Sequence, residues 1–152
     1  MLIVGIDPGA KGSVCLLDTT SSQAEFMDLK RPLPDIYDWL VESQPDALWI
    51  EDVHSLYGMS ARSNFSFGKA LGTVETLASL VLPEFQKVQP KIWQKEVGIT
   101  VKGKAIKKAV ADTCEALYPG SKIYGARGGL LDGRSDSLMI AHYGKVKHET
   151  NN

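Results

Sequence analysis

Residues 2–18 read LIVGIDPGAKGSVCLLD. Leu2–Asp7 is an unbroken apolar run ending in an acid, Gly12–Asp18 is a second apolar stretch, and Pro8-Gly9 between them marks a turn. Two strands joined by a tight turn, a β-hairpin or close to one, is the economical reading. Working outward, Gln23–Leu29 adds a weakly patterned third strand. Pro34 and Asp35 suit the first turn of a helix in which Ile36, Trp39 and Leu40 recur at helical spacing, and Gln44-Pro45 stops it. Ala47–Glu51 (ALWIE) is a short buried strand that also ends in an acid, and Val53–Ser63 reads as a loop. Residues 64–82 form the clearest helix, with Phe67, Leu71, Val74, Leu77, Ala78 and Val81 on one face. Gly68 and Gly72 leave room there for close packing, Phe65 and Phe67 are expected in the helix core, and Pro83 ends the helix. Phe85–Gln89 is a strand, Pro90–Val97 a short helical turn ending at Gly98, and Lys102–Leu117 a helix. The glycine-rich Pro119–Leu131 reads as a flexible connection, and Asp132–Val146 closes the chain as a helix. Early strands followed by alternating helix and strand predict a mixed α/β domain.

The chain has 152 residues, 43% hydrophobic and 23% charged, which bounds it to one domain able to bury a real core. Cys15 and Cys114 are too few and too far apart for a disulfide framework or a zinc site, which points to a reducing cytoplasm. No signal peptide is visible, and no apolar run approaches the ~20 residues of a membrane span, so no membrane partner is expected. A net charge of −1 argues at first against nucleic acid. By position the picture changes: residues 1–82 hold five basic and eleven acidic side chains, residues 83–152 twelve and seven. Lys87, Lys91, Lys95, Lys102, Lys104, Lys107 and Lys108 face only Glu96 within 87–108, a local basic patch or a solvated lysine face.

Four acids stand out by position. Asp7 and Glu51 end strands, while Asp132 and Asp136, four residues apart, present both carboxylates on one face near the start of the last helix. Like charges at that spacing repel, and a divalent cation would offset the cost. Oxygen ligands without histidine or cysteine select Mg²⁺ or Mn²⁺, and four carboxylates at one point could hold two such ions for phosphodiester hydrolysis. Each acid alone reads equally as a strand end or helix cap; only a fold can bring the four together.

GIDPG at 5–9, IEDV at 50–53, KIWQKEVG at 91–98 and DGRSDSLMIAHYG at 132–144 resemble, in this order, the motifs of RuvC-type Holliday-junction resolvases. These belong to the ribonuclease H-like nuclease superfamily. The resemblance runs from Leu2 to about Tyr143, and the DGRSD form looks most like the phage branch. It implies a ribonuclease H-like mixed five-stranded sheet flanked by helices, and a homodimer that cuts four-way DNA junctions with two Mg²⁺ per site. The implied metal ligands are Asp7, Glu51, Asp132 and Asp136, the last matching the family's final aspartate. Lys104 falls where the family places a lysine near the scissile phosphate. Trp93 occupies the place of an earlier catalytic lysine, whose role passes to Lys91 or Lys95 or is absent. Lys102, Lys107 and Lys108 are read as backbone contacts. His54 and Tyr57, with Arg62 in the same region, lie where an aromatic ring can stack on a base at the junction crossover. The location implied is the cytoplasm, that of a host if the chain is phage-encoded.

Three other readings share parts of this pattern. A sugar-kinase or actin-type ATP-binding domain needs a second domain and a second phosphate hairpin and leaves 87–108 unexplained, so no nucleotide cofactor is expected. A related nuclease acting on RNA, flap or other branched DNA would use the same residues. A non-catalytic DNA-binding relative would not need all four acids.

Overall fold

A computed structural model describes residues 1–54 and 58–151. Five strands, β1 (Leu2–Asp7), β2 (Ser13–Asp18), β3 (Gln23–Asp28), β4 (Ala47–Glu51) and β5 (Gln86–Val88), form one sheet in the order β3-β2-β1-β4-β5. The first three run antiparallel as a meander, and β4 and β5 add parallel to the other edge of β1. The mixed five-stranded sheet is the one expected. Five helices cover it: α1 (Leu33–Ser43), α2 (Ala61–Val81), α3 (Pro90–Glu96), α4 (Ala105–Leu117) and α5 (Asp132–Thr150). Among the described residues no helix is long and apolar enough to cross a membrane.

Strand alternation divides the core in two. Val4, Ile6, Val14, Leu16, Leu48 and Ile50 face α1 and α2, where they meet Ile36, Leu40, Val74, Leu77 and Ala78. Ile3, Cys15 and Leu17 face the other way, against Trp93 of α3, Val110 and Cys114 of α4 and Leu138–Ala141 of α5. Asp7 and Glu51 therefore belong to the α5 face by parity. The register sets them side by side, since Ile6 pairs with Ile50 and each acid is the next residue.

Helix α5 lies almost on the strand backbone because it turns small residues to the sheet. A Cβ at Gly5 would sit 2.2 Å from the Ser137 carbonyl oxygen and 2.4 Å from the Ala141 nitrogen, and one at Gly133 would sit 2.0 Å from the Lys11 carbonyl oxygen. At its N-terminal end Arg134 clamps α5 to the edge strand. Its Nε and Nη2 donate to the two oxygens of Asp28 at 2.9 and 3.0 Å, and Nη1 donates to the Lys122 carbonyl at 3.0 Å. Such a two-pronged pair adds orientation as well as energy.

Several elements depart from the sequence expectations for local reasons. Helix α2 starts at Ala61 rather than 64, because the Ser60 hydroxyl caps it by accepting from the Ser63 N–H at 3.1 Å. Helix α4 starts at Ala105 rather than Lys102, because Gly103 takes a left-handed φ of 64° that no helix accommodates. Helix α5 runs past Val146 to Thr150, with Lys145 paired to Glu149 at 3.9 Å on its exposed last turn. The glycine-rich 119–131 stretch is an ordered turn: Gly125 N–H donates to Gly129 O, Leu131 N–H donates to Ile123 O, and Ile123 is fully buried. Phe65 is 75% exposed, not core, and Phe67 is half-buried. Gly68 and Gly72 have nothing within 4 Å of where a Cβ would lie, so packing inside the protomer does not require them.

Gly5→Ala tests the close approach of α5. Backbone atoms cannot step aside as a side chain would, so the change should cost roughly 3 kcal/mol or more in urea unfolding. An unfolding midpoint unchanged from wild type would contradict the contact.

Candidate active site

The four acids converge at the C-terminal ends of β1 and β4, under the first turn of α5. Asp7 is half-buried and accepts from the Gly9 N–H at 2.9 Å, the turn following β1 folding back onto it. Burial raises its pKa, with Asp132 adding to the rise, while the Gly9 N–H and Lys107 oppose it. Glu51 is 9% exposed. Burial first, then the charge of Asp7, push its pKa up to about 7. Asp136 is pushed up to about 8 by burial and then by Asp7, Glu51 and Asp132, against Lys107. The two helix acids thus meet the two strand acids electrostatically, so the structure brings together the set that spacing alone left apart.

Three of the four carboxylates also have a donor, the Gly9 N–H for Asp7 being one. Trp93, 1% exposed, donates its indole N–H to Glu51 Oε2 at 2.7 Å. Lys107 reaches Asp132 Oδ2 at 2.7 Å. Among the described residues no three histidine, cysteine, aspartate or glutamate side chains stand at the spacing of a closed ligand set. The physical cause is visible: Asp7, Glu51 and Asp132 are each turned to an internal donor. The donor set fits a hard divalent cation all the same. It is all oxygen, it holds acids that raise one another's pKa, and a cation between them would relieve that repulsion.

The lysines sort differently from the expectation. Lys107, read as a backbone contact, is the one in contact with the acids, and its own pKa is raised chiefly by its bond to Asp132. Lys104 is the exposed residue preceding α4 and touches none of the four. The resemblance that singled out Lys104 fixes the neighbourhood, but the start of α4 decides which lysine turns toward α5. Lys108 is paired with Asp112 at 2.7 Å along its own helix. Lys87 is held by Glu75 at 3.3 Å and Asp52 at 4.0 Å, which removes it from the basic patch. Lys91, Lys95 and Lys102 are exposed and, among the described residues, carry no ion pair.

Neither Lys91 nor Lys95 is the group held against Glu51; the neutral indole of Trp93 is. Hydrophobic pattern does not distinguish that tryptophan from a core one; the one sequence signal is its standing where the family carries a catalytic lysine. His54 is exposed, with Nε2 3.7 Å from Asp52 Oδ2. Together with Val53, Met59, Phe67, Pro90 and Lys91 it lines a largely apolar cleft beyond Glu51. Arg62 is exposed in the first turn of α2, and Tyr57 lies outside the described residues. His142 meets the Tyr118 hydroxyl through Nδ1 at 2.7 Å.

No protein-family model matches the chain, and no curated protein matches it significantly in sequence. Solved structures do match it in shape. T. thermophilus RuvC in complex with a Holliday junction substrate is 17% identical, with a TM-score of 0.65 over 99% of this chain and 96% of that one. A second structure of Thermus thermophilus RuvC is 20% identical, with a TM-score of 0.58 over 97% of each chain. Fowlpox virus resolvase, in complex with substrate Holliday junction DNA, is 15% identical, with a TM-score of 0.51 over 96% of this chain and 99% of that one. The coverage is nearly complete in both directions, so the likeness concerns the whole architecture: the fold of this chain is the ribonuclease H-like α/β fold in the form seen in RuvC.

Proposed function

We propose that the protein is a metal-dependent, structure-selective DNA endonuclease that resolves four-way junctions by paired nicks. The observation that carries the proposal is the convergence of Asp7, Glu51, Asp132 and Asp136 at one end of the sheet, in a fold shared with RuvC and Fowlpox virus resolvase. These four residues would hold Mg²⁺, with Mn²⁺ as a substitute and two ions per site. Bound there, such ions supply an activated water and stabilise a departing 3′ oxygen, leaving 5′-phosphate and 3′-hydroxyl ends.

The chain's own groups define the rest. The indole of Trp93 holds one oxygen of Glu51 and so orients the carboxylate. Lys107 lies over Asp132, close enough to Asp136 and Asp7 to feel both charges, and is placed to offset charge building on a reacting phosphate. Lys91, Lys95, Lys102 and Lys104 offer unpaired cations to the DNA backbone, which position the duplex without reading sequence. His54 and the apolar cleft beside it suit an unstacked base. A homodimer would present two such sites with two-fold symmetry, matching the junction. The outward face of α2 supports a pairing surface, with Phe65 and Leu80 75% and 65% exposed and Gly68 and Gly72 open.

The direct test incubates the protein and Mg²⁺ with labelled four-way, flap, duplex and RNA/DNA substrates. Four-way junctions should be cut fastest, at symmetric positions on two strands. Asp7→Asn should still shift the junction in a gel and lose at least about a hundredfold in cleavage rate. In the same assay Lys107→Ala should slow cleavage more than Lys104→Ala does. Preferential cutting of RNA/DNA hybrid or flap would select the wider nuclease reading, and wild-type cleavage by Asp7→Asn would overturn the site.

The acids also set a pH dependence. Glu51 and Asp136 have folded pKa values of about 7 and about 8, above their ordinary carboxylate values. The folded state therefore binds more protons than the unfolded chain, and stability is lost as pH rises from about 4 through about 8. In a chelator, the melting temperature should fall across that window, and added Mg²⁺ should recover most of the loss at the alkaline end. A melting temperature in chelator that rises across the window would contradict the assignment.

A further inference from the structure

The cations that the sequence singles out as DNA contacts are Arg62 and lysines within 87–108. The fold assembles a second group in a separate cleft that also borders Asp132. Ala10, Lys11 and Gly12 of the β1–β2 turn, Asp28 and Lys30 at the end of β3, and Leu130–Asp132 with Arg134 line a cleft of about 250 Å³. It opens at Asp132, the residue that Lys107 engages from the α4 side. None of its cations was a candidate in the sequence, because Lys11, Lys30 and Arg134 are separated by up to 123 positions and look isolated.

The charges in this cleft do not cancel. Arg134 takes both oxygens of Asp28, and that bond chiefly lowers the pKa of Asp28. Lys30 also contributes to the lowering, yet among the described residues neither Lys30 nor Lys11 makes an ion pair. Both are exposed. The cleft thus offers two cations without carboxylate partners, held on a tight turn and at a strand end, beside an acid that already belongs to the candidate metal site.

We propose that this cleft is a subsite for a DNA backbone phosphate on the strand being cut, adjacent to the scissile phosphate. The inference rests on the nuclease reading and deepens it. The cleft and Lys107 both border Asp132, so a strand lying across the four carboxylates has Lys11 and Lys30 as well as Lys107 beside it. The ligand is a phosphodiester, recognised by point charges and not by base identity. The turn that carries Lys11 also supplies the Gly9 N–H that holds Asp7 and the Lys11 carbonyl that touches Gly133, so the subsite is built into the same turn as the catalytic acid.

The test compares Asp7→Asn with Asp7→Asn/Lys11→Gln/Lys30→Gln for binding of a labelled four-way junction over a series of salt concentrations. Both lysines are exposed, and an unchanged melting temperature shows that the triple variant is folded. The plot of log affinity against log salt should become shallower by about 1 to 2, the value for one or two lost phosphate contacts. Phosphate-ethylation interference should lose its signal at one or two positions next to the cut. An unchanged slope and footprint in a parent that binds the junction would overturn the subsite alone. A parent that binds no branched DNA at any salt would overturn the nuclease reading, and this inference with it.

Discussion

The contact on which the site depends is backbone against backbone. Ser137 and Ala141 of α5 approach Gly5 of β1 so closely that a single methyl group would collide with a carbonyl oxygen and an amide nitrogen. The same closeness recurs at the helix start, where Gly133, the second residue of α5, meets the carbonyl of Lys11. A helix docked at ordinary distance on side chains would carry its N-terminal acids well above the sheet. Here it drops Asp136 toward the end of β1, and the register of β1 with β4 brings Glu51 alongside Asp7. Arg134 then fixes the first turn of the helix to the far edge strand through Asp28, so α5 is held both along the sheet and across it.

Electrostatics runs against packing at this point. In this half-buried crevice burial, and after it the charge of neighbouring acids, raise the pKa of Asp7, Glu51 and Asp136. The fold partly offsets this with the Gly9 N–H, the Trp93 indole and the Lys107 ammonium, each on a different acid. A crevice of this kind is poor design for stability alone and suits a site built to receive a divalent cation. The near-neutral net charge conceals it, because the acids of the site and the lysines around it cancel in a sum while occupying different places.

Much of this could be read before any coordinates. The apolar runs of Leu2–Asp7 and Ala47–Glu51 predicted strands ending in acids; only the pairing of those strands then set both acids side by side on one face. The resemblance supplied what periodicity could not, namely that the helix beginning at Asp132 returns to those strand ends. What stayed hidden depends on one side chain's reach or one dihedral. A left-handed Gly103 delays α4 and leaves Lys107, not Lys104, facing Asp132. The Trp93 ring is a core residue by burial and a site residue by its one N–H, a distinction no hydrophobic pattern carries. Phe65 stands nine residues from the buried Val74, about half a turn out of phase, so it falls on the opposite face of α2 and not in the core expected for it. The glycines of 119–131 suggested looseness, whereas their backbone hydrogen bonds close an ordered turn.

The central claim is that the four acids are one metal site. Anomalous diffraction from a crystal of the wild-type protein soaked in Mn²⁺ tests it most directly. The account predicts a strong peak between the strand acids and the α5 acids, with carboxylate oxygens of Asp7 and Asp136 among its ligands at about 2.1 Å, the distance of a hard octahedral cation. A crystal whose Mn²⁺ peaks lie only elsewhere, with none against Asp7 or Asp136, would contradict it.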